Sequence, residues 1–203
     1  MQWSMVTVDY SERERTNMGN EMYEAINKEA YPTEVSVRVM KFVEFVNMFK
    51  KEAGLGTADI GCGNKFICGH LKGECENYDY YPADDTVRYC DLLDKDFIPR
   101  KPFDNAVLSH VFEHFTYNDG MQVLENIHKN WLIDDGHLFI SVPNEKFTES
   151  KHEPYNKEWG HLAGYNADNL RMFLQNHGFH VTMCFEMNYF KGYEEVYALA
   201  TRV

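Results

Sequence analysis

Ala58-Asp59-Ile60-Gly61-Cys62-Gly63-Asn64 is the stretch on which the fold turns. A short apolar run, 57–60, stops at a GxG with an acid just ahead of it, the pattern of a strand closing in a tight turn. The two glycines permit positive φ and bare backbone atoms that a Cβ would screen. In an open α/β sheet a ligand binds beyond the carboxyl ends of the strands, where the strand order reverses, so the turn after the first strand is the place to look. By itself GxG is a weak signal, because an ordinary turn reads the same way.

Outward from this turn, short apolar runs at 77–80, 88–90, 104–109 and 137–142 each stop at a polar or proline residue. The spacing predicts a helix over about 119–131 and another from Asn166 as cap to Gly178 as its C′ residue. Two further runs, 179–186 and 195–201, follow with only a loop between them. Strands alternating with helices, then two strands in succession, point to a largely parallel sheet finished by an antiparallel pair. On the amino side, Val35, Val39, Phe42, Val43, Val46 and Phe49 mark an amphipathic helix over 34–51 behind Pro32 and a cap at Thr33. The expected organisation is an N-terminal helical extension or lid, 1–53, ahead of a sheet domain, 54–203.

Three nucleotide readings compete for the turn. A P-loop needs GxxxxGK[ST] after a strand, whereas Gly56-x4-Gly61 spans the strand and is followed by Cys62. A dinucleotide fold needs a third glycine where Phe66 stands. A cofactor without phosphates, carrying an adenosine and an amino-acid moiety, makes no such demand, and Asp59 can meet its ammonium. Asp79 stands sixteen residues after Gly63, at the end of the next strand, placed to accept from a ribose diol. Asp91 comes twelve residues later, placed for an adenine amine, with the Leu92 amide beside it for a ring nitrogen. Asp is also favoured in turns for local reasons, so each acid alone reads equally well as a cap. Three acids closing successive strands are harder to set aside.

The series Asp59-Ile60-Gly61-Cys62-Gly63, Tyr78-Asp79-Tyr80-Tyr81-Pro82, Cys90-Asp91-Leu92, Ser109-His110-Val111-Phe112-Glu113-His114 and Ser141-Val142-Pro143-Asn144 resembles the class I S-adenosylmethionine-dependent methyltransferases. It is most similar to their small-molecule branch, with its "HVLEH" segment after the fourth strand. The resemblance covers about 57–203. It implies a Rossmann-like, seven-stranded, mostly parallel sheet with an antiparallel last strand and helices on both faces. It further implies S-adenosyl-L-methionine held by Asp59, Gly61, Cys62, Gly63, Asp79, Tyr80, Asp91, Leu92, Ser109 and His110. Asn64-Lys65-Phe66 is bulkier than the family's usual small residues, and the loop from Gly63 to Asp79 is short.

Methyl transfer requires a general base only when the acceptor carries a proton, as a hydroxyl does. His110, at the carboxyl end of the fourth strand, is the first candidate, followed by His161 and His114; the bland alternative is that one caps a helix and another packs in the core. His110-Val111-Phe112-Glu113-His114 also matches HxxEH, a zinc-peptidase pattern, but it directly follows a buried-looking strand in a nucleotide-fold series, and the sequence supplies no third ligand. Cys62, Cys68, His70 and Cys75 lack the CxxC pairs of a structural zinc. No metal is therefore assigned.

Composition narrows the partners. The chain has 203 residues, 20 Lys plus Arg and 32 Asp plus Glu, hence a formal charge of −12. That length buries roughly 70% of the unfolded surface, so no disulfide staple is needed. The acid excess argues against nucleic acid and anionic membranes. Five cysteines, no basic–apolar leader at the start and no membrane-length apolar run give a reducing, cytoplasmic setting as the default. Trp3, Tyr10 and Tyr23 suggest a lid or ordinary packing, and 146–164 a specificity loop. The expected function is methyl transfer from S-adenosylmethionine to a small-molecule acceptor; the alternative is a catalytically silent binding or scaffolding module.

Overall fold

The computed structural model describes residues 33–146, 160–189 and 194–203. Seven strands form one sheet in the order β3-β2-β1-β4-β5-β7-β6. They are β1 (Thr57–Ile60), β2 (Cys75–Asp79), β3 (Val87–Tyr89), β4 (Phe103–Ser109), β5 (Leu132–Pro143), β6 (Phe179–Asn188) and β7 (Glu194–Arg202). β1 is parallel to both β2 and β4, with Thr57 level with Cys75 on one side and Asn105 on the other. β7 lies between β5 and β6 and runs antiparallel to both. The expected Rossmann-like sheet is therefore present.

Helices cover both faces, which is why the central strands are apolar throughout instead of alternating. α1 (Thr33–Phe49) and α2 (Phe66–His70) bring Phe42, Val46 and Ile67 against Val107, Phe139 and Tyr197. α3 (Tyr117–Asn126) and α4 (Ala167–Gln175) bring Val123, Leu124, Leu170 and Leu174 against Ile60, Leu108 and Ile140 on the opposite face. The Thr116 hydroxyl accepts from the Asp119 N–H and starts α3, two residues ahead of the expected boundary, and the helix gives way at 127 to a wider π turn, Ile127–Trp131. Asn166 caps α4 in a reciprocal box with Asn169. Helix α1, part of the expected extension over 1–53, is in the core: Phe42 and Val46 are 1% and 0% exposed. The compact unit holding the sheet runs from Pro32 to Val203. Trp3, Tyr10, Tyr23 and most of 146–164 lie outside the described residues.

Cysteine usage departs from expectation. Cys68, in α2, and Cys75, opening β2, are joined by a disulfide, with Cα atoms 5.3 Å apart, while Cys62, Cys90 and Cys184 are free and buried. The chain turns back between α2 and β2, which brings two residues seven apart in sequence within bridging reach. That bond removes the support the cysteine count lent to a reducing compartment, and it also takes two of the four candidate zinc ligands out of play. Among the described residues no helix is long and apolar enough to cross a membrane.

Candidate active site

Strand order reverses between β1 and β4, so the carboxyl ends of those strands border the crevice of the sheet. Gly61 has φ +73°, and a Cβ on it would lie 2.4 Å from Cγ2 of Val111, so only glycine lets the turn after β1 pack under the segment after β4. Gly63 has φ +49° and open space where its Cβ would stand, which leaves its backbone approachable. The Gly61 and Cys62 N–H groups donate to the Tyr78 carbonyl at 2.8 and 3.1 Å and tie the turn to β2. Burial pushes the Cys62 thiol well above its ordinary range, with Asp59 and Asp79 adding to the shift, so it lines the turn as a neutral group.

Asp59 is fully buried, and neither carboxylate oxygen has a hydrogen-bond partner. Burial lifts its pKa to about 7; the backbone N–H of Cys68 opposes the shift without a formed hydrogen bond, and Asp79 adds to it. The folded protein keeps this proton up to about pH 7, whereas the unfolded chain releases it near the ordinary value of 3.8. Between those values the native state binds more protons, so this group's contribution to stability falls as pH rises and levels off above 7. Asp59→Asn is expected to flatten that decline, read from urea denaturation midpoints between pH 4 and 8. An unchanged slope would show that Asp59 is ionised in the native protein throughout.

Asp79 ends β2 and is 2% exposed. Its Oδ2 accepts from the Gly63 N–H at 2.9 Å and its Oδ1 from the Tyr81 N–H at 2.8 Å, so it couples the glycine turn to the end of β2. Burial raises its pKa against those amides. Tyr80 is exposed, its ring 4.8 Å from Tyr81 and 5.6 Å from Tyr89, giving an aromatic wall beside the acid. The Cys90 N–H donates to the Asp79 carbonyl at 2.9 Å, which brings the end of β3 alongside. Asp91 follows in a turn, Oδ1 accepting from the Leu93 N–H at 2.8 Å, and the buried Leu92 offers its carbonyl to Asn126.

Beyond β4, Ser109 shares a hydroxyl contact of 3.1 Å with Ser141 of β5. His110 has φ 55°, a left-handed conformation that a non-glycine residue holds only when its surroundings enforce it. Its N–H donates to the Ser141 carbonyl at 2.9 Å, and its ring lies between two buried carboxylates. Nε2 is 2.8 Å from Oε1 of Glu195, and Nδ1 is 3.4 Å from Oε1 of Glu113. Arg38 of α1 donates to the same Glu195 oxygen at 3.0 Å. Burial pushes Glu195 up, but His110 and Arg38 outweigh it and hold the carboxyl below its ordinary range. The three histidines do the same for Glu113, against its burial. His114 accompanies Glu113 in a single 3₁₀ turn, Phe112–His114, and His161 joins from the far side, Nε2 3.9 Å from Oε1 of Glu113. Burial draws the His161 pKa down to about 4. None of these histidines caps α3, because Thr116 does. A shallow depression lined by Pro102, Leu132 and Arg202 lies at the amino ends of the parallel strands, away from all of these groups.

A family model described as "Methyltransferase domain" matches residues 2–183. The chain belongs to that family. No curated protein matches it significantly. The methyltransferase resembles the 1,6-didemethyltoxoflavin-N1-methyltransferase of Burkholderia thailandensis, solved with 1,6-didemethyltoxoflavin and S-adenosylhomocysteine. That match has 13% identity and a TM-score of 0.72 over 98% of this chain and 93% of the other. It also resembles the N-methyltransferase NodS of Bradyrhizobium japonicum WM9, with 14% identity and a TM-score of 0.63 over 89% and 98%. Magnesium protoporphyrin IX methyltransferase of Synechocystis PCC 6803 matches with 14% identity and a TM-score of 0.60 over 91% and 94%. Family and fold together make this enzyme a class I S-adenosylmethionine-dependent methyltransferase.

Within the candidate site, the sequence pointed to His110 but not to the residues that hold it. Glu195 stands 85 residues away on β7, and Arg38 on α1. The pair of acids opening an otherwise buried apolar strand, Glu194-Glu195-Val196-Tyr197-Ala198, was the one local sign.

Proposed function

We propose that this methyltransferase transfers a methyl group from S-adenosylmethionine to a small-molecule acceptor, with His110 receiving the acceptor's proton. The observation that carries the reading is the His110 ring held at the carboxyl end of β4, 2.8 Å from Glu195 on one side and 3.4 Å from Glu113 on the other. S-adenosylmethionine supplies an electrophilic methyl group on a sulfonium centre. The chain's own groups fit it. The unpartnered carboxyl of Asp59, which gives up its proton near pH 7, suits an ammonium that would favour its ionised form, and the bare backbone of Gly61-Cys62-Gly63 admits close approach. Asp79, beside Tyr80, has a lone pair left on each oxygen for a ribose diol, and Asp91 with Leu92 suits an adenine edge.

Nε2 of His110 donates to Glu195, and Nδ1 faces the buried Glu113 carboxylate at 3.4 Å. In its neutral form the ring takes the acceptor's proton, and the imidazolium formed then lies between two carboxylates that stabilise it, the logic of a carboxylate-supported histidine. Ser109 lines the same strand end. A small acceptor agrees with the acid excess, with the aromatic wall at Tyr80 and Tyr89, and with the acceptors named for the toxoflavin and porphyrin methyltransferases.

Calorimetric titration with S-adenosylmethionine, S-adenosylhomocysteine and NAD tests the cofactor. Binding of either methionine derivative and not of NAD is expected. Asp79→Ala should weaken that binding by about 1–3 kcal/mol, since two backbone donors and the ribose lose a charged acceptor. Unchanged affinity would remove Asp79 from the site. A panel of hydroxyl- and amine-bearing metabolites, scored by S-adenosylhomocysteine production, then tests turnover; tight cofactor binding with no turnover on any would favour the silent module.

A further inference from the structure

We propose that Glu113, His114 and His161 bind one divalent first-row metal ion, with Zn²⁺ the ion their donors suit best. One donor atom from each residue falls within 4.8 Å of the other two. With metal–ligand distances of about 2.0–2.2 Å, tetrahedral donors stand about 3.3–3.6 Å apart, so the widest pair has to close by about 1.5 Å at most, a side-chain adjustment. His161 Nε2 is already 3.9 Å from Glu113 Oε1.

Three features set this cluster apart from an incidental meeting of polar groups. First, the Glu113 side chain is 2% exposed and accepts no formed hydrogen bond, facing only the rings of His110 at 3.4 Å and His161 at 3.9 Å among its ion-pair contacts. A buried carboxylate that meets only loosely placed imidazoles is costly unless they are protonated or a metal ion joins them. Nδ1 of His161 is likewise buried and unpartnered. Second, Nδ1 of His114 is 3.2 Å from the Gly160 carbonyl. Donation from Nδ1–H to that oxygen fixes the tautomer with the lone pair on Nε2, the arrangement that orients metal-binding histidines elsewhere. Third, the backbone locks the two segments together, because the Leu162 and Ala163 N–H groups both donate to the Glu113 carbonyl, at 2.8 and 3.1 Å. His161 is thereby held beside the 3₁₀ turn.

Two imidazoles and one carboxylate favour Zn²⁺ and its transition-metal neighbours over Mg²⁺ or Ca²⁺, which prefer oxygen donors. Three protein ligands leave a fourth tetrahedral position for water, as in reactive zinc sites. His110 stays outside the set because its Nε2 belongs to Glu195, although its Nδ1 and Nε2 of His161 face the same Glu113 oxygen, Oε1. In the sequence the HxxEH pattern lacked both a peptidase context and a third ligand. The fold supplies it as His161, 47 residues after His114, and pairs it with Glu113 and His114 instead of with both histidines of the motif.

The test uses the full chain, stripped with chelator and dialysed, then titrated with Co²⁺ and with Zn²⁺ in competition with a chromophoric chelator. One equivalent of each is expected, Co²⁺ giving the intense visible absorption of a tetrahedral site. Glu113→Gln and His161→Ala should each weaken binding by about 100-fold or more. S-adenosylhomocysteine affinity, measured on the same samples, reports whether each variant is folded, independently of the metal. Absence of a bound equivalent in the wild-type chain overturns the site and leaves a proton-balanced Glu–His cluster; so does binding unchanged in both variants. Should a variant fail to fold, wild-type stoichiometry and the Co²⁺ spectrum decide.

Discussion

His110→Asn is expected to lower kcat by about 100- to 10,000-fold with an acceptor that loses a proton on methylation, the range for removing a general base. The choice of asparagine follows from the backbone. His110 holds φ 55°, a region that asparagine enters readily and most residues do not, so this substitution separates the imidazole from the strain of the turn. Asparagine cannot take a proton at neutral pH, and its shorter side chain also gives up the Nε2 contact to Glu195. S-adenosylhomocysteine affinity should change far less than kcat, because the proton is taken on the acceptor side. An unchanged kcat would show that the acceptor needs no base at His110. An equal loss in kcat and in S-adenosylhomocysteine affinity would make His110 a cofactor ligand instead.

What made the sheet legible was the way its strands end. Thr57–Ile60 stops at Gly61, and the run into Ser109 stops at His110, because a carboxyl strand end in this fold has to turn sharply and leave polar groups at the crevice. The acids at 59, 79 and 91 were visible for the same reason. β5 proved longer than its apolar run, since it starts at Leu132 and carries Asp134 and Asp135 on an exposed stretch before Gly136. Contacts across the sheet had no local sign. His110 meets Glu195 only because β7 is inserted between β5 and β6, and His161 meets Glu113 only through the backbone of 162–163. A motif scan sees residues a few positions apart, whereas the third member of each cluster here arrives by topology.

The largest stability loss is expected at the other end of the sheet, with Asp104→Ala. Asp104 is 1% exposed, and its Oδ2 accepts from the N–H groups of Ala53, Leu55 and Gly56 at 3.0, 2.9 and 3.3 Å. One carboxylate oxygen thus fastens the whole turn between α1 and β1. Asn105 beside it holds Lys51, accepting from its N–H at 2.7 Å and donating to its carbonyl at 2.9 Å. In return the Gly56 carbonyl accepts from the N–H groups of Asp104 and Asn105. Hydrogen bonds to a charged acceptor contribute about 1.5–3 kcal/mol each, but Ala53 is exposed and Leu55 and Gly56 are half-buried, so water replaces part of the loss. Asp104→Ala should therefore cost about 2–4 kcal/mol in urea denaturation, with Asp104→Asn costing less because it retains an acceptor oxygen. Because this clamp grips the amino ends of β1 and β4, the folded fraction of either variant should bind S-adenosylhomocysteine as the wild type does. A cost under about 0.5 kcal/mol, the size of an ordinary surface substitution, would mean that Asn105 alone suffices to hold the turn.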